Sequence, residues 1–253
     1  MSEEKPKPYS VLMLVTMVIC LAFGANAWKS NLRIKQIIID GNQIVGINEI
    51  NQLIHLQIGT LLYEADLTNI QHSVMCDHYI KDAVVERNLP NSIHIQVVER
   101  IPIAIVDRTE TLYLDEEGIV LPRSVSHKLL DLPMISGINE NELFTLGSSI
   151  KQTDVVETLV LLAAMKMVNR PLYHNISEVR VRNGGDIVLY SSDGGVPIIF
   201  GRGELANKLV RLETFWDSIV RSKGTQSLQY VDLRYQDQIV ALWNSDQSSA
   251  NGI

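Results

Sequence analysis

The sequence predicts a mixed α+β protein that begins with one apolar helix and continues into two folded units, the second of them rich in strands. Three observations lead to this prediction. A single uncharged run occupies residues 11–27. Strand and helix periodicities alternate between residues 32 and 99, and short strand patterns separated by turn residues dominate from residue 103 to residue 243. The length of 253 residues fits one large or two small folded units at about 150 residues per domain.

The composition is that of a globular protein. Apolar residues make up 46% of the chain and charged residues 20%, which excludes a wholly disordered or multi-span membrane protein. The net charge of −7 argues against nucleic acid as a partner. The two cysteines, Cys20 and Cys76, lie in such different surroundings that neither a disulfide nor a zinc site is expected. Cys76 is expected to be a buried free thiol.

The uncharged run from Val11 to Ala27 has the composition of a membrane segment. Counted from Tyr9 it reaches nearly twenty residues, about the length that crosses a hydrocarbon layer of roughly 30 Å. Tyr9 and Trp28 stand where interfacial aromatic residues belong. We therefore predict a transmembrane helix at residues 9–28, in contact with the lipid bilayer, after a short tail at residues 1–8.

Cleavage of this segment is the alternative. The triplet Ala25-Asn26-Ala27 has the pattern of a signal-peptide cleavage site, and the local residues do not decide between a retained anchor and a cleaved signal. They also leave the orientation open, because basic residues flank the run on both sides. Both alternatives carry the rest of the chain across a membrane.

The first exported unit is expected to have the order strand, helix, helix, strand, strand. An apolar strand pattern at residues 34–39 is followed by two helical patterns, for which Asn48 and Asp66 are the expected N-caps. Strand patterns at residues 83–87 and 92–99 close the unit.

The second unit is expected to be mostly strands with two helices. The triplet Gly201-Arg202-Gly203 lacks the full phosphate-loop pattern and is interpreted as a strand-to-helix turn. The expected elements are strands at 103–106, 111–114 and 119–121, a loop at 132–137, a helix at 153–168, strands at 176–181, 187–190 and 196–200, a helix at 205–219, and strands at 228–235 and 238–243.

Phrases in both units resemble the FtsQ (DivIB) family of cell-division proteins. IKQIIIDGN, QIGTLLYEADL and KDAVVERNLPNSIHIQVVERIPIAIV are similar to its POTRA domain. LYLDEEGIVL, LPMISGI, IIFGRGELANKLVRLETFW and YVDLRYQDQIVALW are similar to its beta domain. The resemblance implies a POTRA domain at residues 32–101, a beta domain at 102–243 and a disordered tail at 244–253.

The resemblance also implies a scaffold of the division machinery and not an enzyme. It favours a retained anchor in the cell inner membrane, with the N-terminus in the cytoplasm and both domains in the periplasm at the division septum. The implied partners are FtsB in complex with FtsL and other membrane proteins of the divisome. The six histidines show no metal-binding spacing, and neither a metal nor a cofactor is expected. The alternative is an exported envelope assembly factor or cell-wall enzyme that docks through its POTRA module.

A partner is expected to bind by strand addition, because an edge strand presents unpaired backbone N–H and C=O groups. Carried over onto this chain, the resemblance assigns partner binding to Tyr235, Gln238, Ile239, Val240, Ala241, Leu242 and Trp243. Tyrosine and tryptophan are also common anchors of interfaces. In the alternative interpretation Tyr235 and Trp243 pack against the helix that carries Phe215 and Trp216, and Arg234 forms a structural salt bridge.

Overall fold

The computed structural model describes residues 8–29, 31–107, 110–123, 131–139, 144–181 and 185–244. The chain divides into two compact units, Met1–Glu99 and Arg100–Ile253. The tails predicted at residues 1–8 and 244–253 lie outside the described residues, except for Pro8 and Asn244.

Helix α1 spans Pro8–Lys29, which covers the predicted transmembrane region. Its large apolar side chains, such as Met13 and Phe23, are exposed. Within the described residues, however, no helix combines the length and the apolar character that crossing a membrane requires.

The first unit has the predicted order of elements. It contains β1 (Gln36–Asp40), α2 (Ile47–Leu53), α3 (Leu67–Val74), β2 (Ile80–Asn88) and β3 (Ser92–Glu99). The sheet order is β1-β3-β2, with β1 parallel and β2 antiparallel to β3. Ile93 and Ile95 of the central strand are fully buried, as is Ile50 of α2, so the helices cover the apolar face of the sheet.

One of the two predicted caps is correct. Asp66 caps α3, because its carboxylate accepts hydrogen bonds from two backbone N–H groups of the first turn, both at 3.1 Å. The cap predicted for α2 is wrong. Asn48 lies inside α2, and Glu49 reaches back to accept a bond from the backbone N–H of Gly46 at 3.0 Å.

The burial predicted for Cys76 is also wrong, because this residue follows the last turn of α3 and is exposed.

The second unit is built on one large sheet. Within the described residues its strand order is β12-β11-β10-β9-β8-β7-β4-β5-β6. The strands are β4 (Pro102–Asp107), β5 (Thr111–Asp115), β6 (Val120–Leu121), β7 (Met134–Ser136), β8 (Ile176–Val181), β9 (Ile187–Ser191), β10 (Pro197–Gly201), β11 (Leu228–Asp232) and β12 (Val240–Trp243). The helices are α4 (Thr153–Val168), α5 (Arg170–His174), α6 (Leu205–Phe215) and α7 (Arg221–Lys223), and a π-helical turn (Trp216–Val220) joins the last two.

The structure of this unit differs from the sequence prediction in three respects. The expected loop at residues 132–137 contains β7, which pairs in parallel with β4 and β8. The strand expected at 228–235 ends at Asp232, and the strand expected at 238–243 begins at Val240. Helices α5 and α7 were not predicted, because elements of five and three residues show no periodicity.

The core of the second unit lies between the sheet and its helices. The connections through α4 and α6 each join two parallel strands, β7 to β8 and β10 to β11. Leu162 and Leu212 from these helices pack in one apolar cluster with the sheet residues Leu189 and Val231. Tyr173 is buried in the same cluster, and its hydroxyl donates to the carbonyl of Ile103 at 2.7 Å. Burial of this hydroxyl raises the pKa of Tyr173.

Candidate partner-binding edge

Strand β12 forms one end of the large sheet. It pairs antiparallel with β11 through four residue pairs, from Leu228 opposite Trp243 to Asp232 opposite Val240. Within the described part of the chain, no strand lies on its other side. The backbone N–H and C=O groups on that side of β12 are therefore placed to form hydrogen bonds with an extended segment of a partner.

The seven predicted site residues fall into two groups by burial. Within β12 the alternation follows the two faces of the strand, since successive side chains point to opposite sides. Tyr235 and Leu242 are the large exposed apolar residues, at 49% and 44% exposure. Gln238 is exposed and Val240 is partly buried, whereas Ile239, Ala241 and Trp243 pack against the core.

Tyr235 and Gln238 belong to the turn that enters β12. Asp237 in this turn has a φ of 56°, a left-handed conformation that aspartate tolerates better than most residues. Arg211 of α6 lies against the turn, and its Nη1 donates to the carbonyl oxygens of Tyr235 at 3.0 Å and Gln238 at 3.2 Å. The side chain of Arg211 thus fixes the position at which β12 begins.

Arg234 forms the structural salt bridge that was one of the two predicted alternatives. Its guanidinium donates to the carboxylate of Asp232 at 2.7 Å and to that of Asp186 at 2.8 Å. The same bonds raise the pKa of Arg234. Gly201 faces this side chain, and a Cβ atom there would lie 2.8 Å from Cγ of Arg234. The network therefore fills the space beside Gly201, whose φ of 69° also favours glycine at this position.

Asp232 links this network to acid stability. Its hydrogen bonds from Arg234 lower the pKa of Asp232, in opposition to its burial. Because the pKa in the folded state lies below the unfolded value of about 3.9, the stabilisation is complete above about pH 4 and is lost as the pH falls through the folded-state pKa. We expect Asp232→Asn to destabilise the second unit at pH 7, with a difference from wild type that shrinks between pH 4 and pH 2. Urea unfolding at a series of pH values measures this.

The control for the acid titration is Asp217→Asn. Asp217 is about half exposed and pairs with Arg221 on the helix surface, where ion pairs contribute little to stability. A wild-type to Asp232→Asn difference that stays constant from pH 7 to pH 2 would contradict the linkage.

Trp243 ends β12 and is held from the helical side. It packs against the core, and Nζ of Lys223 lies 5.1 Å from the centroid of one of its rings. This is within the range of a cation–π contact. The alternative that Tyr235 and Trp243 both pack inward therefore fits Trp243 only, because Tyr235 is half exposed.

A separate cavity of about 500 Å³ lies beside the Gly201-Arg202-Gly203 turn, between α4 and α6. Val160, Phe200 and Leu205 supply apolar walls. Arg202 at its rim is held by ion pairs with Asp154 and Glu157. Among the described residues, no cluster of His, Cys, Asp or Glu side chains has the geometry of a metal site.

Sequence reasoning did not find Arg211 and Lys223, the two side chains that hold β12. Arg211 is a basic residue in an amphipathic helical pattern, where solvent exposure is the usual expectation. Lys223 lies beyond the helix predicted at residues 205–219. Their distance from residues 235–243 along the chain gives no local signal. Only the packing of α6 and α7 beside the sheet edge brings them to β12.

A unit with the strand and helix order of a POTRA domain, followed by a sheet whose last strand is unpaired on one side among the described residues, defines a POTRA-bearing two-unit protein. The family profile described as FtsQ/DivIB, C-terminal related, matches residues 101–242. A profile described as POTRA domain, FtsQ-type, matches residues 32–100. The chain belongs to the FtsQ/DivIB family.

Relatives cover most of the chain. It is 28% identical over 241 residues to the cell division protein FtsQ of Syntrophotalea carbinolica, an alignment that covers 95% of this chain and 84% of the relative. It is 26% identical to the cell division protein FtsQ of a Geobacter species, with 88% and 83% covered. The cell division protein DivIB of Clostridium tetani is 26% identical over 58% of this chain and 55% of its own.

Proposed function

We propose that this protein is a non-enzymatic scaffold of the bacterial division machinery that assists septum formation. It receives an FtsB-type partner, in complex with an FtsL-type protein, by strand addition at β12. Membership of the FtsQ/DivIB family and the names of its relatives support the division role. The observation that carries the binding mode is the position of β12 at the end of the sheet, with one side unpaired among the described residues.

The exposed residues of the edge suit such a partner. Leu242 and Tyr235 offer apolar contact area next to the unpaired backbone. A strand that adds to β12 gains its affinity from main-chain hydrogen bonds and its selectivity from contacts with side chains of this kind. We propose Tyr235 and residues 238–243 as the partner-binding segment, with Leu242 closest to the partner.

Photo-crosslinking in dividing cells tests this proposal. We expect a photoreactive residue at position 242 of the full chain to form an adduct with a small FtsB-type membrane protein, identified by mass spectrometry. Position 242 is more suitable for the photoreactive residue than position 243, because Trp243 packs against the core. A control residue at position 167 of α4, where Met167 is 90% exposed, is expected to form no such adduct. Equal capture at both positions, or normal expression with no capture at 242, would overturn the binding mode.

We further propose that residues 9–28 anchor the protein in the inner membrane, with residues 1–8 in the cytoplasm and the remainder in the periplasm at the septum. The sequence supports this, because no Asp, Glu, Lys or Arg occurs between Tyr9 and Trp28. From Tyr9 to Trp28 this uncharged run has about the length that crosses a hydrocarbon core of roughly 30 Å.

The double substitution Val15→Arg with Ile19→Arg tests the anchor. Each arginine near the centre of a span costs about 2.5–3.5 kcal/mol of insertion free energy. We expect the wild-type protein to remain in the membrane pellet after alkaline carbonate extraction and the double variant to be lost from it. The matched control, Val15→Leu with Ile19→Leu, should stay in the pellet. Extraction of the wild-type protein would refute the anchor.

The two exported domains are proposed at residues 32–101 and 102–243. The division between Glu99 and Arg100 supports a boundary there, as do the matched ranges of the two profiles. We propose that the POTRA domain contributes to recruitment to the septum, while the second domain holds the partner at β12.

A further inference from the structure

A helical arm at residues 205–223 is formed by α6, the π-helical turn and α7. It contacts the edge segment, residues 235–243, at both ends of that segment. At the start, Nη1 of Arg211 donates to the carbonyl oxygens of Tyr235 and Gln238. At the end, Nζ of Lys223 lies over a ring of Trp243. One cation of the arm therefore holds the turn that enters β12, and the other contacts the residue that ends β12.

The spacing of the two cations matches the length of the segment they hold. Arg211 and Lys223 are twelve residues apart, which is about 18 Å along a helix that rises 1.5 Å per residue. Gln238 and Trp243 are five residues apart, which is at most about 17 Å of extended chain, and the last four of these residues form β12. The separation of the two cations along the arm is therefore similar to the length of the segment between Gln238 and Trp243.

The π-helical turn brings the two cations to the same side of the arm. In a regular α-helix, with about 100° per residue, twelve residues would leave Arg211 and Lys223 about 120° apart. Here the backbone N–H of Arg221 donates to the carbonyl of Trp216, five residues earlier, instead of four. One residue is thereby added within the turn, and the angular offset falls to that of eleven residues, about 20°.

The surroundings of Arg211 point to a role other than stabilising the fold. Its Nη2 atom is buried and finds no acceptor among the described residues. A buried donor without a partner is unfavourable, so this nitrogen adds nothing to the stability of the fold. In this position the function that the geometry supplies is control of the turn that enters β12.

We infer that Arg211 and Lys223 are positioning residues of the partner-binding edge, which order residues 238–243 before a partner strand arrives. This inference rests on the proposed function. An edge that is already extended loses less conformational freedom on pairing, so its affinity for an extended segment is higher. The partner that this arrangement fits is one that pairs through its main chain along the whole of β12.

Hydrogen exchange of the free full-length protein provides the first test. In Arg211→Met and Lys223→Met, we expect the amides of residues 238–243 that are protected in the wild type to exchange about tenfold faster, because local opening of the edge becomes easier. The matched control is Arg221→Met. Arg221 lies on the same arm but pairs with Asp217 at 3.1 Å on the surface, so its exchange pattern should equal that of the wild type.

The second test measures the affinity of the full-length protein for the partner that is captured by photo-crosslinking at position 242. We expect about tenfold weaker affinity for Arg211→Met and Lys223→Met, and unchanged affinity for Arg221→Met. Lys223→Arg keeps a cation over Trp243 and should restore affinity. Thermal unfolding should move little for Lys223→Met, whose side chain is exposed, so this variant carries the test if Arg211→Met does not fold.

The outcomes separate the inference from the function on which it rests. Unchanged exchange at residues 238–243 in both variants would overturn the inference and leave strand addition intact. Faster exchange with unchanged affinity would also overturn it, since the contacts would then be structural only. A wild-type protein that captures no partner would refute the proposed function, and with it the positioning role, even if exchange responds as expected.

Discussion

Asp115→Ala is expected to lower the free energy of unfolding of the second unit by about 3–5 kcal/mol, the usual cost of breaking a buried ion pair. The Asp115 side chain is only 3% exposed and accepts a bond from Nη1 of Arg100 at 2.7 Å. Its other oxygen accepts bonds from the backbone N–H groups of Glu117 at 3.0 Å and Ile119 at 2.8 Å. Removal of the carboxylate leaves these two donors and part of the guanidinium without an acceptor. Urea unfolding followed by tryptophan fluorescence measures the loss.

The chain provides a matched control for this prediction. Glu117 accepts a bond from the same Nη1 atom of Arg100 at 2.8 Å, but its side chain is 46% exposed. The two ion pairs thus have the same donor atom and nearly equal lengths, and they differ in the burial of the carboxylate. We expect Glu117→Ala to cost less than about 1 kcal/mol. Equal losses for Asp115→Ala and Glu117→Ala would contradict the argument that burial determines the effect.

Elements that depend on nearby residues could be predicted from the sequence. Helix α4 begins and ends where its apolar periodicity predicts, at Thr153 and Val168. Strand β7 could not be predicted, because three residues show no period and its partners β4 and β8 are distant in the chain. The end of β11 was missed for a related reason. The residue two positions after Asp232, Arg234, is held by side-chain bonds to Asp232 and Asp186, and the second of these is a tertiary contact without a local signal in the sequence.

The candidate site shows the same division. Resemblance located the segment at residues 235–243, and strand alternation explains which of its side chains face outward. The side chains that hold the segment could not be predicted. The bonds from Arg211 to the carbonyls of Tyr235 and Gln238 depend on the packing of α6 beside the sheet. The π-helical turn that aligns Lys223 with Trp243 has no marker in the sequence pattern.

In the first unit, the largest expected effect of a single polar substitution is at Glu99. Its carboxylate, at the end of β3, accepts hydrogen bonds from three successive backbone N–H groups, those of Gln43, Ile44 and Val45, all at 2.8 Å. A hydrogen bond to a charged acceptor contributes about 1.5–3 kcal/mol to the free energy of unfolding, and the contributions of several such bonds are not additive. We expect Glu99→Gln to lower the free energy of unfolding of this unit by about 2–3 kcal/mol, because the amide nitrogen replaces one acceptor with a donor.

The effect of Glu99→Gln should spread from this turn to α2. The chain leaves β1 through Gly41, whose φ is 90° and whose position leaves no room for a side chain, since a Cβ atom would lie 2.1 Å from the carbonyl oxygen of Val97. Glu99 then holds the next residues up to the start of α2 at Ile47. Hydrogen exchange should therefore quicken at residues 43–53 in Glu99→Gln and not in Glu86→Gln, a control at an exposed position of β2. Faster exchange confined to residues 43–45, with α2 unaffected, would show that α2 is held by its apolar contacts alone.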